Sequence, residues 1–91
     1  MSRTFNTPMY GRPAALRKSR EYEEAMAAYE EIAEEYPDEI KPYLEMIDMA
    51  MRDLNDPERA ELIYQQGLLK FQNEEDRKRL ARQLSGLRLK A

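Results

Sequence analysis

The chain has neither cysteine nor histidine among its 91 residues. Without cysteine there is no disulfide to staple a small core, no thiolate nucleophile and no sulfur ligand for a metal. Without histidine the side chain best suited to proton transfer near neutral pH is missing, together with the commonest metal ligand and every Ser-His or Cys-His nucleophile pair. Any catalysis would have to run on carboxylates, lysine or tyrosine. Glycine-rich phosphate loops and calcium-loop spacing are absent as well. No apolar run approaches the roughly 18 residues of a membrane span, and Met1-Ser2-Arg3-Thr4-Phe5-Asn6 lacks the apolar stretch of a signal peptide. These absences predict a soluble, cytoplasmic protein that is not an enzyme and uses no cofactor or metal. Length limits it to one domain with a modest core.

Charge of each sign is missing from one part of the chain. Residues 1–20 hold five cations and no acid, and residues 77–91 hold six cations and no acid. All 18 acids fall between Glu21 and Asp76, diluted only by Lys41, Arg52, Arg59 and Lys70. The formal net charge of −3 therefore conceals an acidic body between two basic ends.

Residues 1–12 mix Ser, Thr, Asn, Pro and Gly without period and read as a flexible arm. Residues 13–91 read as the helical domain. Pro13 suits a first helical position, and Leu16, Tyr22, Ala25, Met26, Tyr29, Ile32, Ala33 and Tyr36 recur at three- and four-residue intervals. That stretch fits either one long helix or a short helix turning at Ser19-Arg20. Pro37-Asp38 ends it, with Asp38 the expected N-cap of a helix whose stripe is Ile40, Tyr43, Leu44, Ile47, Ala50, Met51 and Leu54. Asn55-Asp56-Pro57 starts a third helix with the stripe Ala60, Ile63, Tyr64, Gly67, Leu68 and Phe71. Asn73 caps a last one, with acids in its first turn, the stripe Leu80, Leu84 and Leu87, and an end expected to fray at Ser85-Gly86. The linkers are short, which predicts antiparallel hairpins.

Shifting the chain by 35 residues lays Glu23, Ala25 and Tyr29 on Glu58, Ala60 and Tyr64, Tyr36 on Phe71, and Asp38-Glu39 on Asn73-Glu74. Small residues at Ala25 and Ala60 let helix backbones approach while the Tyr one turn later covers the gap. Tyr22-Glu23-Glu24-Ala25-Met26-Ala27-Ala28-Tyr29 followed by Pro37 resembles the second helix of a tetratricopeptide repeat. Tyr43 resembles the aromatic that opens that family's first helix, and Ala60, Tyr64 and Gly67 its small-aromatic-small pattern. The resemblance spans residues 20–85. It departs at Ile32, where the family has a small residue, at Ile47, where it favours Gly, and at Pro13, which leaves little room for a complete first helix. The segment 57–71 also looks like the half-repeat variant of RNA-processing scaffolds. The resemblance implies an all-α fold of three to four main helices in roughly two repeats, acting as a protein-interaction module. With fewer than the roughly three repeats normally required for independent stability, self-association or a place in a larger assembly is expected.

By the same resemblance, the concave surface is lined by first helices, so the flank of residues 41–52 is the candidate binding face, offering Lys41, Glu45, Asp48, Met49 and Arg52. Its acids would repel a peptide's terminal carboxylate and suit a basic or amphipathic peptide. Met46, Met49 and Met51 read either as adaptable contacts or as core filling. Arg77, Lys78, Arg79 and Arg82, joined by Arg17 and Lys18, form a candidate basic patch for RNA, or a set of internal partners for the acidic helices. The carboxylates Glu23, Glu30 and Glu34, and Glu31 and Glu35, read as a solvated helix face. Phe5, Met9 and Tyr10 have no place in the helical stripes and are expected to dock the arm on a partner or a second copy.

Overall fold

A computed structural model describes the backbone of residues 7–90 and the side chains of residues 7–86. Within them the chain is all α: α1 (Gly11–Lys18), α2 (Tyr22–Glu35), α3 (Lys41–Arg52), α4 (Pro57–Lys70) and α5 (Glu74–Lys90). There are five helices where three to four were expected, because the first periodic stretch is broken in two. Arg20 sits in the left-handed region at φ 65°, its N–H donates to the Arg17 carbonyl, and the Glu21 N–H reaches back to Leu16. That pair of bonds is a Schellman ending, which satisfies carbonyls that the last turn of a helix would leave bare. Asn55, at φ 51°, is the other left-handed non-glycine residue among those described, and it closes α3 with the Leu54 N–H reaching back to Met49.

Several boundaries differ from the sequence reading. Helix α1 begins at Gly11, so the limit set between residues 12 and 13 falls inside it. Pro8 is buried and Tyr10 packs on Tyr29, with ring centroids 6.3 Å apart; these arm residues are part of the helical body, whereas Phe5 lies outside the described residues. Asp38 does not cap α3. The chain turns through Glu39, whose N–H donates to Tyr36, and the helix starts after Ile40 with no side-chain cap. Helix α5 continues through Ser85-Gly86 to Lys90, and Leu87 lies beyond the described side chains. The other two caps are as read: Asp56 accepts from the Arg59 N–H at 3.1 Å and Asn73 from the Asp76 N–H at 2.8 Å.

Packing runs α1 on α2, α2 on α3, α3 on α4, and α5 on both α3 and α4. The resulting plate measures 45 × 34 × 16 Å, and its short dimension is that of two helix layers. Helix α3 is the most enclosed, burying Tyr43, Met46, Ile47, Met49 and Ala50. Ala25 of α2 and Ala60 of α4 are both completely buried. Tyr43 meets Phe71 edge to face at 5.6 Å. Gly67 sits so close to α5 that an added Cβ would lie 3.0 Å from a Leu80 methyl, and Leu80 is itself fully buried.

If Ala25 and Ala60 hold helices together by being small, overfilling either one must cost stability. Ala25→Leu and Ala60→Leu are each expected to lower stability by about 1–3 kcal/mol, read from the urea unfolding midpoint. Midpoints equal to wild type would mean that neither seam is closely packed.

Candidate functional site

The flank of α3 singled out by the sequence is already occupied. Arg17 projects from α1 and places Nη2 2.6 Å from Asp48, Nε 2.5 Å from Asp53 and Nη1 3.4 Å from Glu45. Its side chain is 23% exposed, and the acids are similarly covered. Burial alone would lower the Arg17 pKa, but the hydrogen bonds to Asp48 and Asp53 and their charges outweigh it and leave it raised. Asp48 also pairs with Arg52, whose Nε lies 3.0 Å away. Lys41 holds its ammonium 4.6 Å above the Tyr10 ring. Met49, expected on the exposed flank, is fully buried, because α3 has neighbours on more sides than a two-hairpin picture supplies. Met46 is buried too and Met51 half-buried.

The candidate basic patch is divided. Helices α1 and α5 make no contact with each other, so Arg17 and Lys18 do not join Arg77, Lys78, Arg79 and Arg82. Arg17 is committed to α3. Arg77 donates to the Leu68 carbonyl at 2.8 Å and the Phe71 carbonyl at 3.3 Å, capping the negative end of α4. Arg79 and Arg82 lie 4.0 Å from Asp76 and Glu75 of their own helix. Lys18 and Lys78 are exposed. Arg88 and Lys90 have side chains beyond those described.

A further surface lies on α2, whose carboxylates read in sequence as a solvated helix face. Helix α2 carries six glutamates and no cation. Glu23 accepts two hydrogen bonds from Arg59 of α4, at 2.8 and 2.9 Å, and these hold its carboxyl below the usual glutamate range. Glu31 lies 3.8 Å from Arg12. Glu30 and Glu34 instead rim an open recess of about 310 Å³ between α2, α3 and α4, with Ala33, Tyr43, Met46, Gln66 and Lys70 as its other walls. Burial, and then the charges of Glu30 and Glu34, push the Tyr43 phenol above its ordinary pKa. No group of three or more acids among the described residues is placed to hold a metal ion. No helix among them is long and apolar enough to cross a membrane.

Comparison with protein-family models, with curated proteins and with solved structures finds no match to this chain.

Two measurements follow from this geometry. Arg17→Met keeps the aliphatic stem but leaves three acids facing one another. It should cost about 2 kcal/mol, between the ~1 kcal/mol of an exposed pair and the ~3–5 kcal/mol lost when one partner of a buried pair is removed; an unchanged urea midpoint would show that the network contributes nothing. The Tyr10 phenol is pushed up to about 12, first by burial and then by Glu39, against about 10 in an unfolded chain. The folded state thus favours the neutral phenol. That contribution is complete below pH about 10 and is lost as pH rises through about 12. Tyr10→Phe should flatten the alkaline limb of the stability curve, and an identical limb in both proteins would rule out the Tyr10 contribution.

Proposed function

We propose that the chain is a non-catalytic protein-interaction module built as tetratricopeptide-like hairpins, α1 with α2 and α3 with α4, and completed by α5. The observation that carries this reading is an echo at the 35-residue shift found in the sequence. Helices α2 and α4 have the same length, and each end of one lies 35 residues from the same end of the other. The two left-handed residues, Arg20 and Asn55, stand in the same relation, as do Ala25 and Ala60, both fully buried. A chain that repeats turn, helix length and seam together has the economy of a repeat scaffold, in which neighbouring units share one core and leave long helix faces for binding.

The chemistry of the surface agrees with binding. Its charges are carboxylates, lysines and arginines on helix faces, many already paired, and they lack a base-and-nucleophile pair. The acid-rich face of α2 suits a basic or amphipathic protein segment in a cytoplasmic setting. Self-association or membership of a larger assembly belongs to the same reading, since few repeats leave end faces uncovered; Leu62 and Leu69, 64% and 78% exposed on α4, lie on one side of that helix.

Selection of displayed random peptides on the full chain, beside titration of a labelled single-stranded RNA at two salt concentrations, separates protein from nucleic acid as the ligand. Enrichment of peptides combining Lys or Arg with apolar residues, and no RNA binding at low salt, is expected. RNA binding that weakens by orders of magnitude with salt, with no peptide enriched, would sink the proposal. Light scattering is expected to give a mass above the 10.8 kDa of one chain; a monomer at high concentration removes self-association from it.

A further inference from the structure

We infer that the recess between α2 and α4 receives a cationic, apolar-flanked peptide segment, with a Lys or Arg side chain held by Glu30 and Glu34 and an adjacent apolar side chain resting on Ala33 and Met46. This deepens the interaction-module reading and rests on it.

Three features of the recess converge on that occupant. The first is an electrostatic demand. Glu30 and Glu34 are one helical turn apart and both exposed, and like charges at that spacing repel by a few tenths of a kcal/mol. Among the described residues neither closes an ion pair, whereas Glu23, Glu31, Glu45 and Asp48 all do. Arg59, which feels the charge of Glu30, has its guanidinium committed to Glu23. A cation entering between the two carboxylates turns one repulsion into two attractions.

The second is a donor that opens on the recess and has no protein partner among the described residues. Tyr43 is 6% exposed, it lines the recess, and its hydroxyl hydrogen-bonds to no other described group. The hydroxyl is therefore free to donate, and a peptide carbonyl laid along the recess supplies an acceptor in place of water.

The third is the asymmetry of the walls. The α2 wall is acidic, the floor is Ala33 and Met46, and the α4 wall offers Lys70 and the Gln66 amide. Lys70 turns the cation toward α2, while Gln66 presents the paired donor and acceptor that a peptide backbone uses. A volume of about 310 Å³ stands at the low end of the roughly 300–1,000 Å³ range of ligand pockets, and so takes one or two side chains rather than a cofactor. An inorganic cation is a poor fit. Two carboxylates on a single helix, faced by a lysine, do not make the six or more oxygen ligands that calcium takes.

The test uses the full chain with its methionine methyl groups labelled for NMR, and a fluorescein-labelled peptide of repeating Leu-Lys-Lys-Leu sequence. On titration the Met46 methyl should shift, while Met9, exposed on the arm, and Met49, buried on α3, should not. Glu30→Gln/Glu34→Gln should weaken binding about fivefold or more, as expected of two partly exposed ion pairs, and should leave the urea midpoint equal or slightly higher. Glu21→Gln/Glu24→Gln, which removes the same charge from the other end of α2, should bind within about twofold of wild type. Equal losses in the two double variants would mean diffuse attraction to an acidic helix. Shifts that bypass Met46 would put the peptide elsewhere. Either result overturns the recess and leaves the interaction module standing, whereas failure of this probe and of every display-selected peptide to bind overturns both.

Discussion

Helix α3 is packed by α2, α4 and α5 and reached from α1 by the Arg17 guanidinium. A plate 16 Å thick has no room for a deep core, so stability has to come from enclosing one element well rather than many elements partly. The sequence of α3 is built for that position. Tyr43, Met46, Ile47, Met49 and Ala50 are buried on it, a wider face than the single stripe of a surface helix. The only polar residues left on it are Lys41, Glu45, Asp48 and Arg52. All four lie at three- or four-residue spacing on one side, and Arg17 covers Glu45 and Asp48 there. Burying so much of one helix fixes the rest: it sets where α2 and α4 approach, why Ala25 and Ala60 must be small, and where the recess between them opens.

This also explains which parts of the fold were legible in the sequence. The 35-residue shift could be read because small and aromatic residues on a helical seam repeat locally, and the bounds of α2 and α4 follow it. Asp56 and Asn73 could be read because a cap is a contact between residues three apart. Contacts across the fold leave no such trace. Arg17 meets partners 28 to 36 residues away, and nothing in its neighbourhood distinguishes it from Lys18, which is exposed. Met49 was misplaced for a related reason. In 41–52 more than half of the residues are apolar, so a stripe drawn for one neighbour leaves Met49 outside, and only the extra packing partners put it inside. The recess needs residues from three helices, and its two acids look in sequence like any other solvated pair.

The sorting of charge by sign has a mechanical consequence. Cations from the N-terminal block reach back onto the acidic body, Arg17 to α3 and Arg12 to Glu31 of α2, and Arg59 ties α2 to α4 through Glu23. Such pairs contribute little singly when exposed. Arg17 is different, since a half-covered guanidinium satisfying three acids removes a cluster of like charge that the packing of α1 would otherwise create. What remains after these pairings is smaller than the formal charges suggest, and Glu30 and Glu34 of α2 belong to it.

A surface can recruit a charged ligand only with charge it has not already spent. For the α3 flank to bind a cation, Arg17 would have to give up three partners and then stand unpaired in a half-covered position. Breaking such a network costs on the order of 2 kcal/mol or more, which is more than a rim contact returns. At Glu30 and Glu34 the balance reverses, because the repulsion is present in the free protein and a cation removes it. The same comparison applies to the basic residues. Arg77 caps α4 and Arg17 braces α3, so an anion at either would compete with the fold itself. Separating charges that hold the molecule together from charges that strain it therefore orders the candidate surfaces, and it places the recess ahead of the α3 flank and the divided basic patch.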